Sequence, residues 1–140
     1  MIALKTLSFN FILALFKALV EATAFGARAI TERFNDEGVP IESVVVIGGI
    51  SKKSDYVMQT CADVWNCPID VLESEQSCAL GAAIMAAVAA GAFDTVEAAQ
   101  KVMASPVCKQ YLPNEERVGI YNALYSKYQT LGDYVSGGKP

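Results

Sequence analysis

The feature that most constrains the fold is a run of four β-branched residues, 44–47, which is followed at once by Gly48 and Gly49 and then by two lysines. β-Branched residues favour strands, and a strand that is apolar on both faces is typical of a parallel sheet covered by helices on each side. The run therefore predicts a central parallel strand over residues 43–48. A strand that ends in such a turn and feeds a helix lies at the carboxyl edge of the sheet, where open α/β sheets bind ligands.

The rest of the chain supplies the layers around this strand. Apolar periodicity and capping residues predict a second strand over 68–74 and helices over 12–34, 54–66, 76–90, 95–103 and 115–131. Gly38 is expected to end the first helix as a left-handed cap, Ser54 to cap the second, and Asp94 or Thr95 to cap the fourth. The second helix is expected to turn an apolar stripe inward, formed by Val57, Cys61 and either Val64 or Trp65, and residues 108–116 are expected to be extended. The third of these helices is so rich in Ala and Gly that we expect another backbone to come unusually close to it. The order α-β-α-β-α-α-α indicates an α/β layer structure. At 140 residues, the chain has the length of a single domain with one core.

The first helix carries an apolar stripe whose members are spaced by three and four residues. These members are Ile12, Phe16, Leu19, Thr23, Ala27, Ile30 and Phe34. The opposite side is expected to hold two i,i+4 ion pairs, Lys17 with Glu21 and Arg28 with Glu32, each worth a few tenths of a kcal/mol. The pattern predicts an amphipathic helix with this stripe as its apolar face.

Charge and residue counts exclude several classes of function. The net charge is −4 and no basic cluster exceeds the lysine pair at 52 and 53, so a nucleic-acid partner is not expected. The chain contains no histidine, which excludes Ser-His and Cys-His nucleophiles and metal sites that use His. The four cysteines, which show no C-x-x-C spacing, are Cys61, Cys67, Cys78 and Cys108. They are expected to be buried, reduced thiols that bind no metal, and reduced thiols are typical of a cytoplasmic protein.

Two apolar segments have some features of a membrane span or an export signal. The run 11–16 is short, and Lys17 and Glu21 interrupt its continuation, which does not fit a signal peptide. Residues 78–93 are uncharged, but as a helix they would rise only about 24 Å, which is less than the hydrocarbon core of a bilayer. No membrane partner is therefore expected.

The glycine turn itself has two interpretations. Without two Cβ atoms, backbone amides can approach a phosphate, and a following helix dipole, the lysines, and the hydroxyls of Ser51 and Ser54 could complete the cradle. Alternatively, Gly48-Gly49 makes a tight turn and the lysines point into water. Because the stretch matches neither G-x-G-x-x-G nor G-x-x-x-x-G-K-[ST], spacing alone leaves both interpretations open.

Three segments of the sequence carry a resemblance to a known family. They are ALVEATAFGARAI, the stretch from VVVIGGISKKSD to AAGAF, and YLPNEERVGIYNALYSKYQTLGDYV. In order and spacing they resemble the C-terminal end of the FGGY family of carbohydrate kinases, and within that family most closely the ribulokinases. The resemblance covers the chain from about residue 15, whereas residues 1–10 match poorly.

The resemblance implies a partial actin-like ATPase (ribonuclease H-like) domain with a short, mostly parallel sheet and several packing helices. Residues 1–140 would form a single domain, the C-terminal part of the second kinase domain. Such kinases bind ATP with Mg²⁺ in a cleft between two domains and sugar deep in the same cleft. The implied parent transfers the γ-phosphate of ATP to a sugar hydroxyl.

By the same resemblance, the glycine turn corresponds to the adenosine motif, which contacts the α-phosphate and ribose, with residue 53 near the adenine. The implied nucleotide-binding residues are Gly48, Gly49, Ile50, Ser51, Lys52 and Lys53. Small residues of the helix over 76–90 are expected to pack behind the motif, and Glu75 and Gln76 to brace that packing; the small residues are Ala79, Gly81, Ala82 and Ala83.

No catalytic residue is expected in this chain. The family's phosphate loop, sugar-contacting residues and catalytic aspartate correspond to upstream sequence, and Asp55, Asp63 and Asp70 are poor candidates for a general base. The sequence therefore predicts the ATP-binding portion of a sugar kinase, which meets sugar only with the upstream domain. The alternative is an inactive fragment that only binds nucleotide or self-associates as a homo-oligomer.

Overall fold

A computed structural model describes residues 2–137, with the side chains of residues 10–137. Residue 1 of the poorly matching segment 1–10 lies outside the described residues. The helices and strands in chain order are α1 (Ile2–Asp36), β1 (Val44–Val46), α2 (Gly49–Lys53), α3 (Asp55–Trp65), β2 (Ile69–Leu72), α4 (Ser77–Ala89), α5 (Val96–Met103), β3 (Val107–Tyr111) and α6 (Glu115–Val135).

The helix ends follow from local capping. Ser54 Oγ accepts a hydrogen bond from Val57 N at the start of α3, and Asn114 and Thr95 cap α6 and α5 in the same way. After α1, Gly38 adopts a φ of 85°, which is the left-handed cap that its position predicted. The predicted helix boundaries and caps are therefore confirmed to within a few residues, apart from α1, which begins at Ile2.

The sheet has three strands in the order β1-β2-β3. The two predicted strands pair in parallel, with Val45 opposite Asp70. The third strand, β3, was expected only as an extended segment and pairs antiparallel with β2, with Ile69 opposite Tyr111. The sheet is thus short and mixed, and β2 is its central strand.

The prediction that β1 is a central strand covered on both faces is wrong for the described residues. β1 lies at the edge of the sheet, and Val45 is 55% exposed. Val44 and Val46 point the other way and pack against the core. The run is apolar on both faces, but the described part of the chain supplies a covering layer for only one of them.

The core lies between one face of the sheet and a layer formed by α1, α3 and α6. Its buried members come from all three helices and from β2 and β3: Ala24, Phe25, Met58, Cys61, Ala62, Val64, Ile69, Val71, Tyr111, Tyr121 and Tyr125. The predicted inward stripe of α3 is confirmed at Cys61 and Val64. Burial of these apolar side chains is the main stabilising term of the fold.

The face of α1 that packs on the rest of the chain is the one opposite to the predicted apolar stripe. Arg28 Nη1 donates to the Val64 carbonyl at 3.0 Å and to Asn122 Oδ1 at 2.8 Å, so the side with the Arg28–Glu32 pair faces α3 and α6. The predicted apolar stripe is exposed instead. The helix is apolar on two sides in its first half, and a periodicity argument cannot tell which side this chain covers.

Candidate functional site

The glycine turn follows β1 as predicted. Gly48 has φ 99° and ψ 174°, a conformation open to glycine but strained for other residues, and Gly49 begins α2. Ser51 Oγ donates to the Gly48 carbonyl at 2.7 Å, and Ser51 is 2% exposed. The buried Ser51 hydroxyl therefore holds the turn in this conformation through its hydrogen bond to Gly48.

A cavity of about 240 Å³ opens beside this turn. It is lined by Gly48, Gly49, Lys52, Lys53, Glu75 and Gln76. Because β1 and β2 are parallel, the segments that follow them meet at the same edge of the sheet, and this brings the glycine turn to the turn before α4. Complete ligand sites usually enclose about 300–1,000 Å³, so the cavity has the size of one side of a larger site.

The two lysines of α2 occupy different environments. Lys52 Nζ donates to the Glu73 carbonyl and lies 3.8 Å from Glu75 Oε1. Lys53 makes no ion pair or side-chain hydrogen bond among residues 10–137, and its Nζ lies about 4.0 Å from where a Cβ on Gly49 would be. Lys52 thus anchors the turn after β2, whereas the Lys53 ammonium remains available beside the glycines.

Four of the six predicted binding residues meet at the cavity, namely the two glycines and the two lysines. Ile50 is exposed but does not line it, and Ser51 is buried beneath the turn. Glu75 and Gln76, which were expected to brace packing, line the cavity. Their position next to the glycines depends on the parallel pairing of β1 with β2, which motif spacing cannot show.

Two expectations about the helices around the turn are wrong. The helix that begins at Gly49 has only five residues, and the longer helix α3 starts with its own cap, so little helix dipole is directed at the glycine turn. The small residues of α4 are exposed, and a Cβ on Gly81 would meet no described atom within 4 Å. Among the described elements α4 packs chiefly on α5, so the predicted close approach behind the turn is not formed here.

The three aspartates considered for catalysis all have structural partners. Asp55 accepts from Tyr111 Oη at 2.8 Å and pairs with Lys109 at 2.8 Å, and these contacts, the lysine foremost, lower the pKa of its carboxyl. Asp63 is 1% exposed and bound by Arg117 Nη1. Asp70 accepts from the Gln110 side-chain amide. None of the three lines the glycine-turn cavity.

A larger groove of about 770 Å³ lies between α1, α3, β3 and α6, and sequence reasoning missed it. Its cations are already paired: Lys109 with Asp55, Arg117 with Asp63, and Lys17 with Glu21 at 3.6 Å. The groove shares no lining residue with the glycine-turn cavity. Its paired charges hold α6 and β3 on α3 and offer no free charge to a ligand.

The cysteines do not all fit the prediction of buried thiols. Cys61 is buried, and desolvation raises the pKa of its thiol to about 11. Cys67 is half-buried, whereas Cys78 and Cys108 are exposed, so two of the four predictions are wrong. All four are free thiols. Across the described residues, no group of three or more Cys, Asp or Glu side chains is arranged to hold a metal ion.

One helix segment, Asn10–Asp36, is long and apolar enough to cross a membrane by length and composition. Only 11% of the apolar window is buried, and both core helices of water-soluble proteins and signal sequences pass the same test. The segment carries Arg28, which is fixed by hydrogen bonds to α3 and α6, and Trp65 Nε1 donates to the carbonyl of Ala24 within it at 2.8 Å. These contacts hold the helix in the α/β fold.

The arrangement is similar to that of solved sugar-kinase structures. A structure of a xyloylose kinase from Brucella ovis superimposes with a TM-score of 0.79 and 25% identity, covering 90% of this chain and 25% of that one. The xylulose kinase from Rhodospirillum rubrum gives a TM-score of 0.72 at 23% identity, covering 88% and 25%. The α/β arrangement is therefore part of the actin-like ATPase fold of sugar kinases, as the resemblance implied.

The C-terminal domain model of the FGGY family of carbohydrate kinases matches residues 6–90, more than half of the chain, and the chain belongs to this family. Among curated relatives, the ribulokinase of Vibrio parahaemolyticus is 52% identical over 122 residues, and that of Shouchella clausii is 42% identical over 129 residues. These alignments cover 87% and 89% of this chain. The chain spans only 22% and 23% of the length of these two relatives.

Proposed function

We propose that this chain is the ATP-binding C-terminal portion of a ribulokinase-like carbohydrate kinase, which transfers the γ-phosphate of ATP to a sugar hydroxyl. The observation that carries the proposal is the turn Gly48-Gly49, which presents backbone without side chains at the carboxyl edge of two parallel strands, with Lys53 beside it. Family membership supports the same function, since the matched domain belongs to carbohydrate kinases.

The turn suits a phosphate-bearing ligand for reasons of charge and space. Glycine amides carry no Cβ that would keep an anionic oxygen away, and Gly48 is held in shape by Ser51. Lys53 supplies an ammonium with no acidic partner among the described side chains. ATP is therefore the proposed ligand, with its sugar and phosphate end at the glycines and its base beside residue 53.

Magnesium is proposed only for the complete kinase. Mg²⁺ prefers several carboxylate or phosphate oxygens. Glu75 is the one carboxylate that lines the cavity among the described residues, and it is paired with Lys52. These residues do not fit a protein-held magnesium site, so the ion would be bound by the nucleotide and by parts of a kinase that this chain does not contain.

The sugar is proposed from the relatives. The curated relatives are named ribulokinases, which supports a ketopentose such as ribulose as the substrate of the whole protein. Phosphoryl transfer needs groups on both sides of the γ-phosphate, and this chain supplies one side. We therefore propose that sugar binds only together with the upstream domain. We further propose that neither nucleic acid nor a membrane is a partner, and that the protein is cytoplasmic.

The second candidate is a catalytically inactive module that binds nucleotide or associates with itself. It is favoured by the structural role of Asp55, Asp63 and Asp70, none of which lines the cavity. The exposed apolar side of α1 supports self-association.

The two candidates are separated by measuring binding and turnover on the same 140-residue chain. Isothermal titration with ATP and ADP is expected to give saturable binding, and a coupled assay with L-ribulose is expected to give no turnover. Addition of a ribulokinase fragment that lacks the matching C-terminal segment should restore turnover if the chain is a kinase portion. Restoration would contradict the inactive-module candidate, and failure to bind any adenine nucleotide would contradict both nucleotide proposals.

A further inference from the structure

The cavity beside the glycine turn has two walls with different chemistry. The turn after β1 contributes Gly48, Gly49 and Lys53, which offer backbone amides and an ammonium group. The turn after β2 contributes Glu75 and Gln76, which offer a carboxylate and a side-chain amide. The first wall suits an anion and carries the proposed function. The second wall brings a negative charge to the same cavity, and the proposed function assigns that charge no role.

The turn that carries Glu75 is held by hydrogen bonds of its own. Ser74 N donates to Ser105 Oγ at 2.8 Å, and Ser74 Oγ accepts from Gln76 N at 3.2 Å. Ser77 Oγ donates to the Ser74 carbonyl at 3.3 Å. These bonds fix the backbone on both sides of Glu75, so its side chain leaves the turn at a defined point on the cavity wall.

The Glu75 carboxylate retains an oxygen for a ligand. Its side chain is 80% exposed, and Oε1 lies 3.8 Å from Lys52 Nζ. Lys52 Nζ is anchored by the Glu73 carbonyl as well, so Glu75 is not needed to hold it. Oε2 makes no ion pair or hydrogen bond among residues 10–137. An exposed ion pair of this kind adds little stability, which leaves the carboxylate without a strong structural reason for its position.

Charge decides which part of ATP can meet Glu75. A carboxylate repels phosphate groups, and it accepts hydrogen bonds but does not donate them. The triphosphate is therefore excluded from this wall. The base is proposed to lie beside Lys53, on the other wall. The part of ATP that remains is the ribose, whose two hydroxyl groups are hydrogen-bond donors.

Dinucleotide-binding α/β sheets use the same combination of groups. In these sheets a glycine turn follows one strand, and an Asp or Glu about 20 residues further along accepts a hydrogen bond from the ribose 2′-hydroxyl. Here Gly48-Gly49 follows β1 and Glu75 follows the parallel neighbour β2, and both line one cavity. The topology thus places an acceptor where a ribose beside the glycines can reach it.

We propose that Glu75 determines specificity for the sugar of the nucleotide, because its Oε2 accepts a hydrogen bond from a ribose hydroxyl. This inference rests on the proposed function, since it requires ATP in the cavity. Lys52 is a positioning residue: its ammonium holds Oε1 and leaves Oε2 for the ligand. The chain then selects ribonucleotides over deoxyribonucleotides.

A purely structural role for Glu75 is the competing explanation. In that case the carboxylate would hold Lys52 and thereby α2, and its removal would weaken the binding of every nucleotide equally. A contact to ribose instead strengthens the binding only of ligands that carry the hydroxyl. The ratio of the dissociation constants of a deoxynucleotide and ATP therefore separates the two explanations.

Isothermal titration of the 140-residue chain with ATP, 2′-deoxyATP and 3′-deoxyATP measures this ratio. At least one of the two deoxynucleotides is expected to bind about tenfold more weakly than ATP. This value is at the lower end for hydrogen bonds to charged groups, because the Glu75 side chain is largely exposed. Equal dissociation constants for all three nucleotides would overturn the proposal.

Variants assign the ratio to a side chain. Glu75→Ala is expected to lower the ratio from about tenfold to below about twofold, since the acceptor is removed. Lys52→Met should lower it partway, because the carboxylate loses the contact that positions it. The matched control is Glu73→Ala, an exposed carboxylate of the same turn that does not line the cavity, and it should leave the ratio unchanged. Circular dichroism and urea midpoints show that each variant folds.

Two further results would overturn the proposal. One is a ratio that Glu75→Ala leaves unchanged, and the other is an equal loss of affinity for ATP and both deoxynucleotides in that variant. Binding of ATP without discrimination would overturn this proposal alone. Absence of binding by all three nucleotides would overturn it together with the proposed function, so the two failures are distinguishable.

Discussion

Lys52 and Glu75 form a 3.8 Å ion pair at the edge of the glycine-turn cavity, and Lys52 also binds the carbonyl of Glu73. The neighbouring Lys53 has no acidic partner among the described side chains. The two adjacent lysines therefore have different environments: Lys52 ties the turn after β2 to α2, and Lys53 lines the cavity beside the glycines. This division is the basis of the first prediction.

Lys53→Met is expected to weaken ATP binding by about 10- to 100-fold, because a charge-assisted hydrogen bond from its ammonium to an acceptor atom on the base side of the nucleotide contributes about 1.5–3 kcal/mol. Lys52→Met is expected to weaken binding less than about fivefold, because the exposed pair it breaks is worth about 0–1 kcal/mol. Isothermal titration of both variants measures the difference. A larger effect at Lys52 than at Lys53 would show that the roles are reversed.

The variants Gly48→Ala and Gly49→Ala are expected to differ in effect: the first lowers the stability of the fold, and the second weakens ATP binding without lowering stability. At Gly48 the φ of 99° makes alanine strained, so unfolding should become easier by about 1–3 kcal/mol although no atom lies within 4 Å of the added Cβ. At Gly49 the residue is helical, so alanine should leave stability unchanged or raise it by up to about 1 kcal/mol. Its methyl group, however, would stand in the cavity.

The Gly49→Ala variant should therefore bind ATP at least about tenfold more weakly while unfolding at an equal or higher urea concentration. Urea denaturation and calorimetry on the same preparations test both effects. Unchanged ATP affinity in Gly49→Ala would mean that the backbone at this turn does not approach the ligand.

Asp63 is the buried carboxylate that connects α3 to α6. It accepts hydrogen bonds from Gln59 Nε2, Asn114 N and Arg117 Nη1, and it is almost fully buried. Asp63→Ala is expected to destabilise the fold by about 3–5 kcal/mol, since it removes the shared acceptor and leaves these donors without it. Arg117→Met removes the cation paired with this buried carboxylate but leaves its other two donors, so it should cost less than Asp63→Ala, about 1.5–3 kcal/mol. Equal losses in urea denaturation would contradict a buried network centred on Asp63.

The stability of the fold should fall above pH 10 because of Tyr125. Burial, together with the hydrogen bond to Glu32, raises the pKa of its hydroxyl from about 10 to about 12. The folded state thus holds the proton more tightly than the unfolded state, so this contribution is complete below pH 10 and is lost as pH rises toward 12. Burial also raises the pKa of Tyr121 to about 12, so Tyr125→Phe should reduce, without abolishing, the fall of the urea midpoint as pH rises in this range. Tyr134→Phe, at an exposed residue, should leave that fall unchanged. Identical profiles in the two variants would rule out this origin.

The elements of the fold were predictable because their signals are local. Caps at Ser54 and Thr95, the glycine after α1, and the β-branched run at 44–47 each act within a few residues, and the structure has them where the sequence indicates. β3 was missed because its residues 107–111 contain Lys and Gln and do not alternate clearly. Its strand conformation comes from pairing with β2, which is a non-local interaction.

The arrangement of faces could not be predicted in the same way. α1 carries apolar residues on two sides, and which side is covered depends on the contacts of Arg28 and Trp65 with distant elements. At the site, the glycine turn was evident from the sequence, whereas the approach of Glu75 and the division between the two lysines follow from the parallel pairing of β1 with β2.

The most direct test of the account is an NMR titration of the ¹⁵N-labelled chain with ATP. The backbone amides of Gly48 and Gly49 should shift progressively and saturate, together with those of Lys53 and Gln76, while amides of the larger groove such as Gln110 stay unchanged. Saturable ATP binding that moves the groove amides and leaves the two glycines unmoved would contradict the account.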